Sequence, residues 1–235
     1  MKPLLFSALC ILTGWTHITG SYAASLQMYP STVNFCNQER ARPVYIRNTG
    51  ASPISTQIRL YKWQQIDNKD VLTPASDVIS SPPMAKIPAG KEQLIRIIIP
   101  KEKKAGTYRL IVDELPDRTS SDSRSNVNFL LRYSVPVFTS CKTVKIDKAK
   151  ITASISKRNN LNYLVIKNSG SESIKLSNVS LASGHDQRVV NRGLMGYVLP
   201  ASEMSWKLPN GLNNSVKLIA NINDESTFTT IDIKK

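Results

Sequence analysis

Residues that commonly carry chemistry are scarce in this chain. Histidine occurs only at His17 and His185, and cysteine only at Cys10, Cys36 and Cys141. His185 precedes Asp186, and serines are plentiful, so a Ser–His–Asp relay for acyl transfer is arithmetically available. Such a relay usually places its serine in a Gly-x-Ser-x-Gly elbow, which the sequence does not contain. His185 follows Gly184 in a polar run and reads as loop decoration. Ala89-Gly90-Lys91 lacks the upstream glycine of a phosphate loop. Asp113 and Glu114 are adjacent, so on a strand they point to opposite faces and cannot share acid–base work. Metal sites need several histidines, cysteines or carboxylates at ligand spacing, and that pattern is missing too. The inventory favours a binding protein without a cofactor over an enzyme. An exported hydrolase resting on His185 is the weakest reading.

The first residues specify a compartment. Lys2 gives a short positive region, Leu4 to Trp15 is mostly apolar, and Ser21-Tyr22-Ala23 offers a cleavage site before Ala24. Residues 1–23 therefore read as a secretory signal peptide, too short to span a bilayer. No later stretch has the roughly 20 apolar residues of a membrane span, so an exported, soluble chain is expected. Cys36 and Cys141 remain after cleavage. In an oxidising compartment an isolated pair reads first as a disulfide, with free thiols or pairing between chains as the alternatives. The formal charge of +14 suits an anionic surface, an acidic partner or mere solubility. Export argues against nucleic acid as the main ligand.

These residues would be positioned by strands. Ser25–Phe35, Arg42–Asn48, Ile54–Trp63, Gln93–Ile99 and Thr107–Leu115 are strand candidates, with turn signals at Asn48-Thr49-Gly50 and Ile87-Pro88-Ala89-Gly90. A second set follows: Ile151–Ile155, Asn162–Asn168, Ile174–Leu181, Gly196–Leu199, Met204–Leu208, Ser215–Asn221 and Thr227–Ile233. The spacing predicts an all-β protein of two immunoglobulin-like sandwiches in series, with a cleft between them. The predicted boundaries are a signal peptide at 1–23, an N-terminal domain at 24–142 and a C-terminal domain at 143–235.

One stretch asks for more explanation. Between the polar segment Pro116–Ser125 and Phe138 runs Asn126-Val-Asn-Phe-Leu-Leu-Arg-Tyr-Ser-Val-Pro-Val-Phe138. Val127, Phe129, Leu131, Tyr133, Val135 and Val137 alternate, so an extended chain puts them on one face. The run also holds Pro136, which a central strand tolerates poorly.

Gly106-Thr-Tyr-Arg-Leu-Ile-Val-Asp-Glu-Leu-Pro116, the polar loop and this alternating strand together resemble the end of the first domain of PapD-like periplasmic pilus chaperones. Further matches are Ser81-Pro82-Pro83, Ile87-Pro-Ala-Gly-Lys-Glu-Gln-Leu-Ile-Arg96, and Gly196-Tyr-Val-Leu-Pro200 leading to Trp206. Arg132 to Phe138 is most similar to the archaic branch, which assembles Csu-type and spore-coat-like pili.

The resemblance implies a periplasmic chaperone that caps pilus (fimbrial) subunits and delivers them to an outer-membrane usher. Subunits of this kind lack their last strand, and the chaperone lends one of its own, a form of β-augmentation called donor-strand complementation. By analogy Val127, Phe129, Leu131, Tyr133 and Val135 form the subunit-binding donor strand. Family members also bind the subunit's C-terminal carboxylate with basic residues in the cleft. The first strand here, Leu26-Gln-Met-Tyr-Pro-Ser31, has no cation, so Arg96 and then Arg132 become the candidate anchors. In the family the first strand ends beside the last strand of the same domain, which implies a Cys36–Cys141 disulfide. The alternative from another class is an exported two-domain immunoglobulin-like structural or adhesive surface protein. A pilus component of that kind would carry an N-terminal donor extension, whereas strand pattern here begins at Ser25.

Overall fold

The computed structural model describes residues 26–36, 39–100, 106–116, 129–140, 147–212, 214–223 and 225–234. Residues 1–25, which hold the expected signal peptide, lie outside this set, as do Val127, Cys141 and the expected domain boundary at 142–143.

Alternating inward and outward residues build strands almost throughout. The first sandwich contains β1 (Leu26–Tyr29), β2 (Val33–Asn34), β3 (Ala41–Asn48), β4 (Ile54–Ile66), β5 (Lys69–Pro74), β6 (Ile79–Ser81), β7 (Met84–Ile87), β8 (Glu92–Ile98), β9 (Thr107–Leu115) and β10 (Arg132–Phe138). One layer has the order β1-β3-β8-β6; the other has β2-β10-β9-β4-β5, with β7 also paired to β4. Val44 and Ile46, Ile95 and Ile97, Ile58, Leu110 and Val112 fill the space between the layers. Their period of two along each strand is the pattern the sequence shows.

The N-terminal segment is not the single strand expected over Ser25–Phe35. It pairs antiparallel with β3 through Tyr29, then crosses to the other layer and runs parallel to β10 at Val33 and Asn34. Pro30 has no amide hydrogen to give a ladder, so the break falls at a residue that cannot continue it.

The second sandwich follows a short 3-10 turn at Lys148–Lys150. It contains β11 (Ile151–Arg158), β12 (Leu161–Asn168), β13 (Ile174–Ser183), β14 (Asp186–Val198), β15 (Ser202–Lys207), β16 (Lys217–Ile222) and β17 (Thr229–Lys234). Their order is β14-β13-β16-β17-β11-β12-β15, its two halves joined by a short parallel pairing of β11 with β17. Leu164, Ile166, Leu176, Leu181, Leu218 and Ile222 are buried within it. His185 lies exposed in the two-residue connection between β13 and β14, a loop position as the sequence implied.

The two sandwiches share one internal device. Asn48 and Asn168, both fully buried, follow the last core positions of β3 and β12. Asn48 Nδ2 donates to the Ser52 and Ile87 carbonyls at 2.8 and 3.0 Å, and its Oδ1 accepts from Gly50 N at 2.9 Å. Asn168 Nδ2 donates to Glu172, Val198 and Leu199 carbonyls at 2.7–3.1 Å, and its Oδ1 accepts from Gly170 N at 2.9 Å. Each asparagine ties its own turn to a distant loop by donating to carbonyls of both.

Between the sandwiches Trp63, Phe138, Tyr197 and Leu199 form a separate buried cluster. Trp63 meets Tyr197 edge-on with ring centroids 5.4 Å apart, and both approach Phe138 at about 6 Å. Phe138 is the last residue of β10, so that strand is rooted at the domain junction.

Candidate functional site

β10 pairs with β9 over its whole length, from Arg132 opposite Asp113 to Phe138 opposite Thr107. On its other flank β2 covers only Val137 and Phe138. Hydrogen bonds at its two ends show which way each residue faces. The Leu131 carbonyl accepts from Glu114 N on the β9 side, and the Phe138 carbonyl accepts from Phe35 N on the β2 side, both at 2.9 Å. Successive residues of a strand direct their backbone groups to opposite flanks. Arg132 and Ser134 therefore present N–H and C=O on the β2 flank, where no described strand pairs with them. Pro136 also faces that flank and brings only a carbonyl. Its missing amide hydrogen falls where pairing with β2 stops, on an edge rather than inside the sheet, which explains a proline in so apolar a strand.

Side chains divide along the same strand. Val135 and Val137 are buried in the first core, at 5% and 0% exposure. Tyr133 packs against that core, and its hydroxyl donates to the Leu26 carbonyl. Leu131 is half-buried against it, fixed by Glu114, whose carboxylate accepts from Leu131 N at 3.2 Å. Phe129 is 84% exposed and Leu130 49%. The expected donor row thus does not act as one unit. Val135 lies in the protein's own sandwich, because inward pleating carries it between the two layers. Tyr133 is committed by its hydroxyl in the same way. Phe129 is the free member among the described residues.

The outer face of this layer is cationic. Arg59 and Arg132 both bind the carboxylate of Asp113, which is largely buried. Burial alone would raise the Asp113 pKa, but hydrogen bonds and charge from Arg132 and Arg59 outweigh it and hold the carboxyl below its ordinary range. The same bond to Asp113 raises the Arg59 pKa. Arg132 nevertheless keeps two-thirds of its side chain in solvent. One strand-pair lower, Arg109 lies 3.6 Å over the Trp63 ring and 3.9 Å from Asp70. Burial lowers the Arg109 pKa, with Asp70 and Tyr197 opposing the shift.

Arg96 lies elsewhere. It sits on β8 opposite Pro43 and Ser81, exposed on the outer face of the other layer, between inward-facing Ile95 and Ile97. Arg96 and Arg132, the two expected anchors, are therefore on different layers. Arg109 was not singled out by sequence reasoning. Its alternation with Tyr108 and Leu110 marks it as outward-facing, and Trp63, together with Tyr197 of the second sandwich, covers that position. Cys36, next to the β2–β10 pairing, is disulfide-bonded. Among the described residues no cluster of histidine, cysteine and carboxylates could hold a metal, and no helix is long and apolar enough to cross a membrane.

Two immunoglobulin-like sandwiches with an open edge rooted at their junction define an assembly-chaperone architecture. Residues 25–145 match the family model described as pili and flagellar-assembly chaperone, PapD N-terminal domain, and the chain belongs to that family. The chain resembles the chaperone–subunit complex solved as CsuC–CsuE, from archaic chaperone-usher Csu pili of Acinetobacter baumannii. Identity is 28% over 89% of this chain and 98% of that one, with a TM-score of 0.68. The SafB chaperone–SafA pilin complex of Salmonella enterica aligns at TM-score 0.65, with 14% identity over 91% of this chain and 98% of the other. The Pseudomonas aeruginosa CupB2 chaperone aligns at 0.58, with 17% identity over 88% and 98%. These last two support the fold alone. A comparison with curated protein sequences gave no match. The chain is a chaperone of pilus assembly.

Proposed function

We propose that the chain is a periplasmic chaperone that captures pilus subunits along the open flank of β10 and hands them to an outer-membrane usher. The observation carrying this reading is an edge at Arg132 and Ser134 with which no described strand pairs, continued by an 84% exposed Phe129. An exposed apolar edge is normally an aggregation liability. In a donor strand the same groups complete a partner's sheet: main-chain bonds give sequence-tolerant pairing, and alternate side chains fill pockets. Val127 and Phe129 lead the insertion, Leu131 follows at the boundary, and Val135 supports the strand from below. Arg132 is the better-placed of the two expected carboxylate anchors, being on the strand itself with free donors.

The test is co-expression with a pilus subunit in the periplasm. Phe129→Asp should leave a soluble chaperone that no longer retains the subunit; equal co-purification by wild type and variant would reject the donor role. The periplasmic reading also calls for Cys36 to be linked to Cys141, the parallel run of β2 beside β10 bringing their strand ends together. Non-reducing peptide maps should recover that linked pair, and both residues as free thiols would overturn it.

A further inference from the structure

The β4–β5 hairpin outruns its own layer. β9 follows β4 only as far as Lys62, whereas β5 pairs with it from Tyr61 to Ile66. Asp67 and Asn68, both at positive φ, close the hairpin with the two-residue turn that suits strand twist. The projecting end reaches the second sandwich through side-chain amides. Gln65 Nε2 donates to the Tyr197 carbonyl and to Asp70 Oδ1, each at 3.0 Å, and Gln65 Oε1 accepts from Leu199 N at 2.9 Å. Both donors and the acceptor of that amide are engaged. Asn68 Oδ1 accepts from Ser205 N on β15. Asp70 continues the network to Arg109, which stacks on Trp63 beside Tyr197.

We infer that Gln65 is a positioning residue that sets the angle between the sandwiches at the root of β10. The aromatic cluster and the amide do different jobs. Trp63, Phe138, Tyr197 and Leu199 hold the domains together chiefly by apolar burial, which is far less directional than a hydrogen bond. Two hydrogen bonds from one planar amide to the backbone of Tyr197 and Leu199 are directional and copy a rung of antiparallel ladder. Relative motion is the default for domains joined by a small interface. Here a rung of borrowed ladder removes it, and the surface beside the open edge keeps one shape. This inference does not depend on which molecule that edge captures.

Residual dipolar couplings of backbone amides, measured on the exported chain, test it. In the wild type one alignment tensor should fit both sandwiches. Gln65→Ala should lose the common tensor and require a separate one for each sandwich. Core amide shifts around Leu110 and Leu164 should stay in place, which a general loss of structure would not allow. Should Gln65→Ala fail to fold, Gln65→Glu, which keeps the side-chain length but loses the Nε2 donor to the Tyr197 carbonyl, is read the same way. A single tensor of wild-type orientation in the folded variant, or two tensors already in the wild type, overturns the inference.

Discussion

Val135 and Phe129 share a parity in the sequence, yet Val135 is buried inside β10 and Phe129 lies exposed before it, and paired substitutions separate their proposed duties. Val135 is 5% exposed within the first core. Replacing it with alanine removes two methyl groups, worth about 0.8 kcal/mol each. A residual cavity of about 50 Å³ at about 24 cal/mol per Å³ adds about 1 kcal/mol. Val135→Ala should therefore destabilise the chain by about 2–3 kcal/mol, lowering the urea midpoint by about 1–2 M at unchanged slope. Phe129 is 84% exposed, so Phe129→Ala should shift stability by no more than about 0.5 kcal/mol. Its cost should appear in subunit binding instead. Losing a buried aromatic contact worth about 1.5–3 kcal/mol corresponds to a dissociation constant about 10- to 100-fold weaker. Urea unfolding and subunit titration on the same two variants decide the matter. A Val135→Ala chain as stable as wild type, or a Phe129→Ala chain that unfolds early and binds normally, would refute the division of the strand.

Asp113 should give the protein an acid-sensitive step. Its folded pKa lies below the ordinary value of 3.8, so its contribution is complete above that value and disappears as pH falls through the lowered one. Urea unfolding below about pH 4 should show stability falling with pH, with a shallower fall in Asp113→Asn. An identical acid limb in both would show that Arg59 and Arg132 do not stabilise that charge. Asn168→Ala strips buried carbonyls of Glu172, Val198 and Leu199 of their donor and should destabilise the second sandwich by about 2–4 kcal/mol. Calorimetry that resolves the second sandwich should show the loss, and an unchanged transition would mean that water replaces the amide.

Strands whose alternation buries one face were legible from sequence. β9 begins and ends at the expected residues, because Tyr108, Leu110 and Val112 face a core that the chain itself supplies. β14 was legible only at its apolar end. Its first half, Asp186 to Arg192, is a polar edge strand paired on one flank and carries no inward row to read. β5 was missed for a related reason: its residues are mostly exposed, and only the turn at Asp67 and Asn68 gives it away. At the site, sequence located the strand and its free aromatic end. It missed that Val135 and Tyr133 turn inward, since alternation gives parity and not which partner occupies a face. Arg96 lies on the β8 layer and Arg132 on the β10 layer, and sequence overlooked Gln65 and Arg109, whose contacts with Tyr197 come from the second sandwich.

Pro136 connects the parts of β10 physically. On its C-terminal side Val137 and Phe138 are paired on both flanks and tied to the interdomain cluster. On its N-terminal side Ser134 and Arg132 pair with β9, and no described strand pairs with their other flank. An alanine at this position would add an N–H pointing to the free flank, extending the edge that a foreign strand can read by one donor. With proline there, an incoming strand finds no donor at the point where β2 begins and must take its pairing from Ser134 outward. The residue that looked least suited to a strand thereby marks where the protein's own sheet ends and the offered edge begins.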